Sequence, residues 1–147
     1  MAVKINGINH VAISVADFEE SIAWYARVFG FKVIDRSEIP GTGILVAHMQ
    51  GPGFQMEIFC APDSNPLPPQ RRIPNEDLKT QGNKHFSFGV RDAHQVKDEL
   101  EAMGVEIALV AEVDGTYGVF IRDNTGNLIE IFEEGVYVPG QEGDGTD

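Results

Sequence analysis

The sequence predicts an α+β fold made of two tandem copies of one βαβββ module. Three observations carry this. Chemistry-bearing residues recur at a nearly constant offset: 75 residues separate His10 from His85 and Asp17 from Asp92, 74 separate Gly30 from Gly104, and 73 separate Glu57 from Glu130. In each copy a period-two run gives way to helical spacing and then to further short apolar runs. Glycine and proline punctuate the runs at matching places.

The first copy opens with Ile8 to Val15, an alternating run rich in β-branched residues, which is expected as a strand. Asp17 stands at a helix N-cap, and Phe18, Ile22, Tyr25 and Phe29 follow at helical spacing until Gly30 stops the helix. Three more strands are expected near Phe31 to Ile39, Gly43 to Met49 and Phe54 to Ala61, separated by Pro40-Gly41 and Gly51-Pro52-Gly53.

Residues 62–82 hold five prolines and no sustained periodicity. They are expected to form a connector, with a short turn at Glu76 to Lys79. The second copy repeats the order: strand His85 to Val90, cap Asp92, a helix through Val96, Leu100 and Met103, stop at Gly104. Strands follow near Val105 to Glu112, Tyr117 to Arg122 and Asn127 to Glu133, the last two joined by the turn Asp123-Asn124-Thr125-Gly126. The modules are thus residues 1–61 and 83–134 of one compact domain, with an acidic flexible tail at 135–147.

Strand parity separates site from core. His10, Ala12 and Ser14 share one face of the first strand while Val11, Ile13 and Val15 share the other; His85, Ser87 and Gly89 likewise oppose Phe86, Phe88 and Val90. A face lined by His, Ala, Ser and Gly leaves room above it, as a ligand cup needs. Glu57 and Glu130 stand mid-strand among apolar residues, where a carboxylate is costly unless it is paired or bound to a metal. Matched positions, parity and flanking sequence in both copies make His10, Glu57, His85 and Glu130 the candidate ligands of a divalent metal. Two imidazole nitrogens and two carboxylate oxygens suit Ni, Co, Mn, Fe(II) or Zn and leave an open coordination position, which points to Lewis-acid chemistry rather than a structural ion.

Other residues carry weaker signals. Cys60 is the single cysteine, so no intrachain disulfide is possible, and it lies opposite Glu57 as a small apolar residue. His48 and His94 show no partner arrangement in the sequence. Arg71, Arg72, Lys79 and Lys84 cluster about the connector as a solvated loop, with capture of an anionic substrate group as the sharper alternative. A net charge of −12 argues against nucleic acid or an anionic membrane as partner. No signal segment or long apolar run is evident, and a soluble cytoplasmic protein is expected.

Ile8 to Val15 with Asp17, Trp24-Tyr25 before Phe29-Gly30-Phe31, Lys84 to Val90 with Asp92, and Phe120 to Phe132 together resemble the vicinal oxygen chelate superfamily. That superfamily includes glyoxalase I, methylmalonyl-CoA epimerase, extradiol dioxygenases and the fosfomycin and bleomycin resistance proteins. The resemblance implies that the paired modules form an eight-stranded, cup-like open barrel around one divalent metal ion. It implies His10 and Glu57 as ligands from one module and His85 and Glu130 from the other. In the family the two halves of a site come from one chain or from two, and a homodimer is expected here.

A complete His-Glu-His-Glu set resembles bacterial glyoxalase I, which implies a lyase or isomerase acting by proton transfer on a small oxygenated carbonyl substrate. Glu57 and Glu130 are then the candidate proton shuttles. The embedded triad His10, His85 and Glu130 keeps an Fe(II) extradiol dioxygenase of catechols as an alternative, and a non-catalytic binding or resistance protein is a third. The Pro-rich connector matches no glutathione-binding signature of glyoxalase I.

Overall fold

Asp17 accepts a hydrogen bond from the Glu20 backbone N–H at 2.9 Å and starts a helix whose first turn carries Glu19 and Glu20 and whose last turn carries Arg27, both favourable to the helix dipole. Gly30 ends it in the left-handed region at φ 69°, a conformation that costs a residue with a Cβ about 1 kcal/mol. Asp92 repeats the cap by accepting from the Gln95 backbone N–H at 2.9 Å.

The computed structural model describes residues 2–113 and 115–133. The elements in order are β1 (His10–Ser14), α1 (Phe18–Phe29), β2 (Lys32–Glu38), β3 (Leu45–Gln50), β4 (Gln55–Cys60), a 3-10 turn (Pro69–Arg72), α2 (Pro74–Asp77), β5 (Phe86–Val90), α3 (Ala93–Ala102), β6 (Ile107–Val113), β7 (Thr116–Arg122) and β8 (Leu128–Glu133). This is the expected βαβββ order twice over. The acidic tail expected at 135–147 lies outside the described residues.

The eight strands divide into two four-stranded sheets of the same order, β1-β4-β3-β2 and β5-β8-β7-β6. β1 runs parallel to β4 and β5 parallel to β8, and the remaining pairs are antiparallel. The two sheets form no closed barrel, in keeping with an open cup. Even the irregularities repeat: a bulge falls between Val33 and Asp35 in β2 and between Ile107 and Leu109 in β6.

One core joins the modules. Val15, Ile22, Met56 and Ile58 from the first cluster with Leu100, Val119, Ile121, Ile129 and Ile131 from the second. Each such side chain contributes about 1.5–3 kcal/mol by burial. At the seam Phe88 meets Phe29, Phe31 and Phe54 with ring centroids 4.9, 5.8 and 5.6 Å apart. The Asp123 turn supplies the polar lock. Its Oδ1 accepts from the backbone N–H groups of Thr125, Gly126 and Asn127, while its Oδ2 accepts from the buried Tyr25 hydroxyl of α1 at 2.9 Å. Burial, reinforced by the Asp123 charge and hydrogen bond, pushes the Tyr25 hydroxyl well above the ordinary tyrosine pKa.

The connector departs from a solvated loop. Asp77, 1% exposed, pairs with Arg71 Nε at 2.6 Å and with Lys84 Nζ at 3.7 Å, while Arg71 also donates to the Asn83 carbonyl and Lys84 to that of Thr80. A buried carboxylate needs such partners, and two of the four cations expected to be solvated are therefore structural. Arg122 is structural as well, donating to the Arg72 carbonyl and pairing with Glu106, each at 2.6 Å.

Candidate active site

Alternation along the edge strands sets the site's two faces. In β1 His10, Ala12 and Ser14 are exposed while Val11 and Ile13 pack inward; in β5 Ser87 and Gly89 are exposed while Phe86, Phe88 and Val90 pack inward. The register then fixes the carboxylates: Glu57 lies beside Ala12 and Glu130 beside Ser87. His10 Nε2 reaches Glu57 Oε2 at 3.6 Å, and His85 Nε2 reaches Glu130 Oε2 at 3.4 Å. Each expected ligand pair is thus assembled within its own module.

The four candidate ligands do not form a single cluster. Among the described residues no group of three or more His, Cys, Asp and Glu side chains is placed to hold a metal ion. His10 and His85 do share one cavity of about 480 Å³, which runs between β1 and the starts of β5 and β8 under the connector, with Arg71, Lys84 and Asn127 also in its wall. His85 precedes β5 rather than opening it.

Across the sheet the two faces differ. Glu57 lies opposite His48 of β3, and His48 lies opposite Asp35 of β2. His48 Nε2 is 3.1 Å from Glu57 Oε1, and its Nδ1 is 2.7 Å from Asp35 Oδ1. The hydrogen bond with Asp35 raises the His48 pKa above its ordinary value, against a smaller opposing effect of desolvation and with help from Glu57. In the second module Glu130 lies opposite Phe120, and Phe120 opposite Leu109. The His85 ring stands edge-on to Phe120 with centroids 4.9 Å apart. Burial would raise the Glu130 carboxyl, but hydrogen bonding from His85 and Ser87 outweighs it and holds the pKa below its ordinary value. Gly118 leaves space there, since a Cβ on it would lie 3.5 Å from Glu130 Oε1.

His48 is the functional candidate that the linear sequence concealed, because its partners come only with strand pairing. The signal is in the hairpin: with Gln50 opposite Gln55 across the Gly-Pro-Gly turn, two further steps outward on each strand bring His48 opposite Glu57. His94, by contrast, stacks on Tyr117 at 3.6 Å on the helix side of the second sheet.

The residues fit a divalent ion by their chemistry. Neither Glu57 nor Glu130, both under 20% exposed, pairs with a Lys or Arg among the described residues. Two sheltered carboxylates flanked by imidazoles and free of fixed cations are suited to a cation. They could also take up a proton from a bound molecule, with Glu130, its pKa lowered in the metal-free chain, a weaker base than an ordinary glutamate.

Comparison with known proteins agrees with this fold. A curated relative, Glyoxylase I 4 of Arabidopsis thaliana, is 29% identical over 130 residues, covering 86% of this chain and 70% of that protein. The crystal structure of a glyoxalase family protein from Enterococcus faecalis shares the fold with a TM-score of 0.75 at 22% identity, covering 87% of this chain and 98% of that one. So does the fosfomycin resistance protein FosX of Listeria monocytogenes, crystallised with Mn(II), with a TM-score of 0.65 at 17% identity and coverage of 88% and 93%. Among the described residues no helix is long and apolar enough to cross a membrane. The sequence model of the family matches residues 7–131, both His-Glu pairs included, and this chain belongs to the Glyoxalase/Bleomycin resistance protein/Dioxygenase superfamily.

Proposed function

We propose that this protein is a divalent-metal-dependent lyase or isomerase of glyoxalase type, acting by proton transfer on a small oxygenated carbonyl compound. The observation that carries the reading is the duplicated pair, His10 with Glu57 and His85 with Glu130, each holding a sheltered carboxylate beside an imidazole with no Lys or Arg partner among the described residues. The likeness to Glyoxylase I 4 supports the reaction class.

His10, Glu57, His85 and Glu130 would hold the ion, one per site. When bound, it would supply Lewis acidity toward substrate oxygens and so acidify the adjoining C–H bond. One of the two glutamates takes that proton and returns it to the neighbouring carbon, and no net proton is consumed. Its intrinsic basicity suits the task only if water is kept away, as a cup closed over the two faces would do.

The full site is completed, in this proposal, between two copies of the chain. The His-Glu faces are open to solvent, β2 is exposed along its whole length, and Val33, Ile34, Leu45 and Val110 are exposed apolar residues on the same sheets.

Two measurements test the reading. Metal-loaded protein should convert a hemithioacetal of an α-ketoaldehyde to the hydroxyacyl thioester without oxygen uptake; oxygen consumption with a catechol on Fe(II) would assign a dioxygenase instead. Mixing His10→Ala and His85→Ala chains should restore activity through heterodimers that each carry one intact site. Inactive mixtures that nonetheless exchange subunits would place the site within one chain.

A further inference from the structure

We propose that Asp35 and His48 form a positioning pair that fixes the carboxylate of Glu57, so that the two halves of the site, alike in their ligands, are unequal in rigidity. The inference rests on the metal-site reading above and extends it to two residues outside the ligand set.

The geometry is continuous. Asp35 Oδ1 to His48 Nδ1 is 2.7 Å, His48 Nε2 to Glu57 Oε1 is 3.1 Å, and Glu57 Oε2 to His10 Nε2 is 3.6 Å. With its Nδ1–H donated to Asp35, the His48 ring cannot rotate without losing that bond, and its Nε2 is aimed at one oxygen of Glu57. That contact survives either placement of the shared proton: Nε2 donates when it carries the proton and accepts when the Glu57 carboxyl does. One oxygen of Glu57 is therefore committed sideways, and only Oε2 faces His10 and the open face. The bulge between Val33 and Asp35 is what carries Asp35 into register with His48.

The second module supplies an internal control. Its bulge and register are the same, yet Leu109 and Phe120 occupy the positions of Asp35 and His48, and neither can hold Glu130 by a hydrogen bond. Among the described residues the polar partners of Glu130 are His85 and Ser87, and it has space on the Gly118 side. Partners that orient a metal ligand typically change affinity by about 10- to 100-fold when removed.

The test is Co(II) binding by the full-length protein, followed by titration and by the visible absorption of the bound ion, with no substrate present. His48→Phe, which copies the second module, should weaken Co(II) about tenfold and alter the absorption bands while circular dichroism stays unchanged. His48→Gln keeps a donor toward Glu57 and should recover most of the loss; Asp35→Leu should resemble His48→Phe. Wild-type affinity and spectrum in His48→Phe would overturn the positioning role while leaving the metal site standing. Absence of Co(II) binding by the wild type, or binding unaffected by Glu57→Gln, would remove both. In metal-free protein the ring ¹⁵N signals of His48 should move in both Asp35→Leu and Glu57→Gln; a ring that senses neither would also overturn the proposal.

Discussion

The two modules share strand order, helix N-caps, bulge position and the His-Glu pair, yet the surroundings of the paired glutamates are exchanged. In the first, the polar neighbour of Glu57 lies across the sheet at His48, while the residue beside it on the edge strand is Ala12. In the second, the polar neighbour of Glu130 is Ser87 on the edge strand, and the residue across the sheet is Phe120. The two modules thus aim their candidate ligands alike and support them differently. A site with approximate two-fold symmetry can in this way give two chemically identical carboxylates different work.

Neutralising each carboxylate alone separates the two modules most strongly. Whichever of Glu57→Gln and Glu130→Gln removes the proton-carrying carboxylate should lower turnover by about 10²- to 10⁴-fold, the range for loss of a general acid-base group, and the other should lose less. Steady-state kinetics on metal-saturated protein decides, and a loss under tenfold in both variants would remove proton transfer from these residues. Exchanging the supports comes next. Phe120→His alone should raise no new ordering of Glu130, because Leu109 gives its ring no anchor; Phe120→His with Leu109→Asp should tighten Co(II) binding relative to the single variant.

Coupling of the halves is tested by Tyr25→Phe. It removes a buried hydrogen bond to Asp123 and should cost about 1–3 kcal/mol in chemical denaturation. The pH dependence has a definite sign. The Tyr25 pKa is raised in the folded state, so the folded chain holds a proton that the unfolded chain releases above about pH 10. Its contribution is complete below that pH and falls as pH rises toward the folded value. Tyr25→Phe should show a shallower alkaline loss than the wild type, and equal slopes would contradict the assignment.

The smallest expected effect is Ser87→Ala. Removing the hydroxyl should move the Glu130 carboxyl pKa upward in metal-free protein, seen by NMR titration. Because the folded pKa is lowered, the stability tied to Glu130 is present above the unfolded carboxyl value of about 4.3 and is lost as pH falls through the folded one. Ser87→Ala should narrow that acid-side loss.

Local features were legible in the sequence. Asp17, Gly30 and Asp92 announced the helix ends, alternation in His10 to Ser14 announced which face packs on the core, and the repeated His and Glu announced the two His-Glu contacts. Side-chain contacts between separate elements were not. Asp35 and His48 are 13 residues apart, Tyr25 and Asp123 are 98 apart, and nothing in either neighbourhood signals the other. The connector misled for a different reason: its prolines suggested a solvated strap, whereas Asp77 draws Arg71 and Lys84 inward to balance a buried charge. A carboxylate's burial is a property of the packed chain and leaves no mark on its own sequence.

In the proposed site two His-Glu pairs, each incomplete, together serve one metal ion. The direct measurement is equilibrium Co(II) titration of the wild type beside two double variants, His10→Ala with Glu57→Gln and His85→Ala with Glu130→Gln. The expected result is about one ion per chain in the wild type and loss of tight binding in both variants. Two ions per chain, or tight binding that survives removal of either pair, would contradict it.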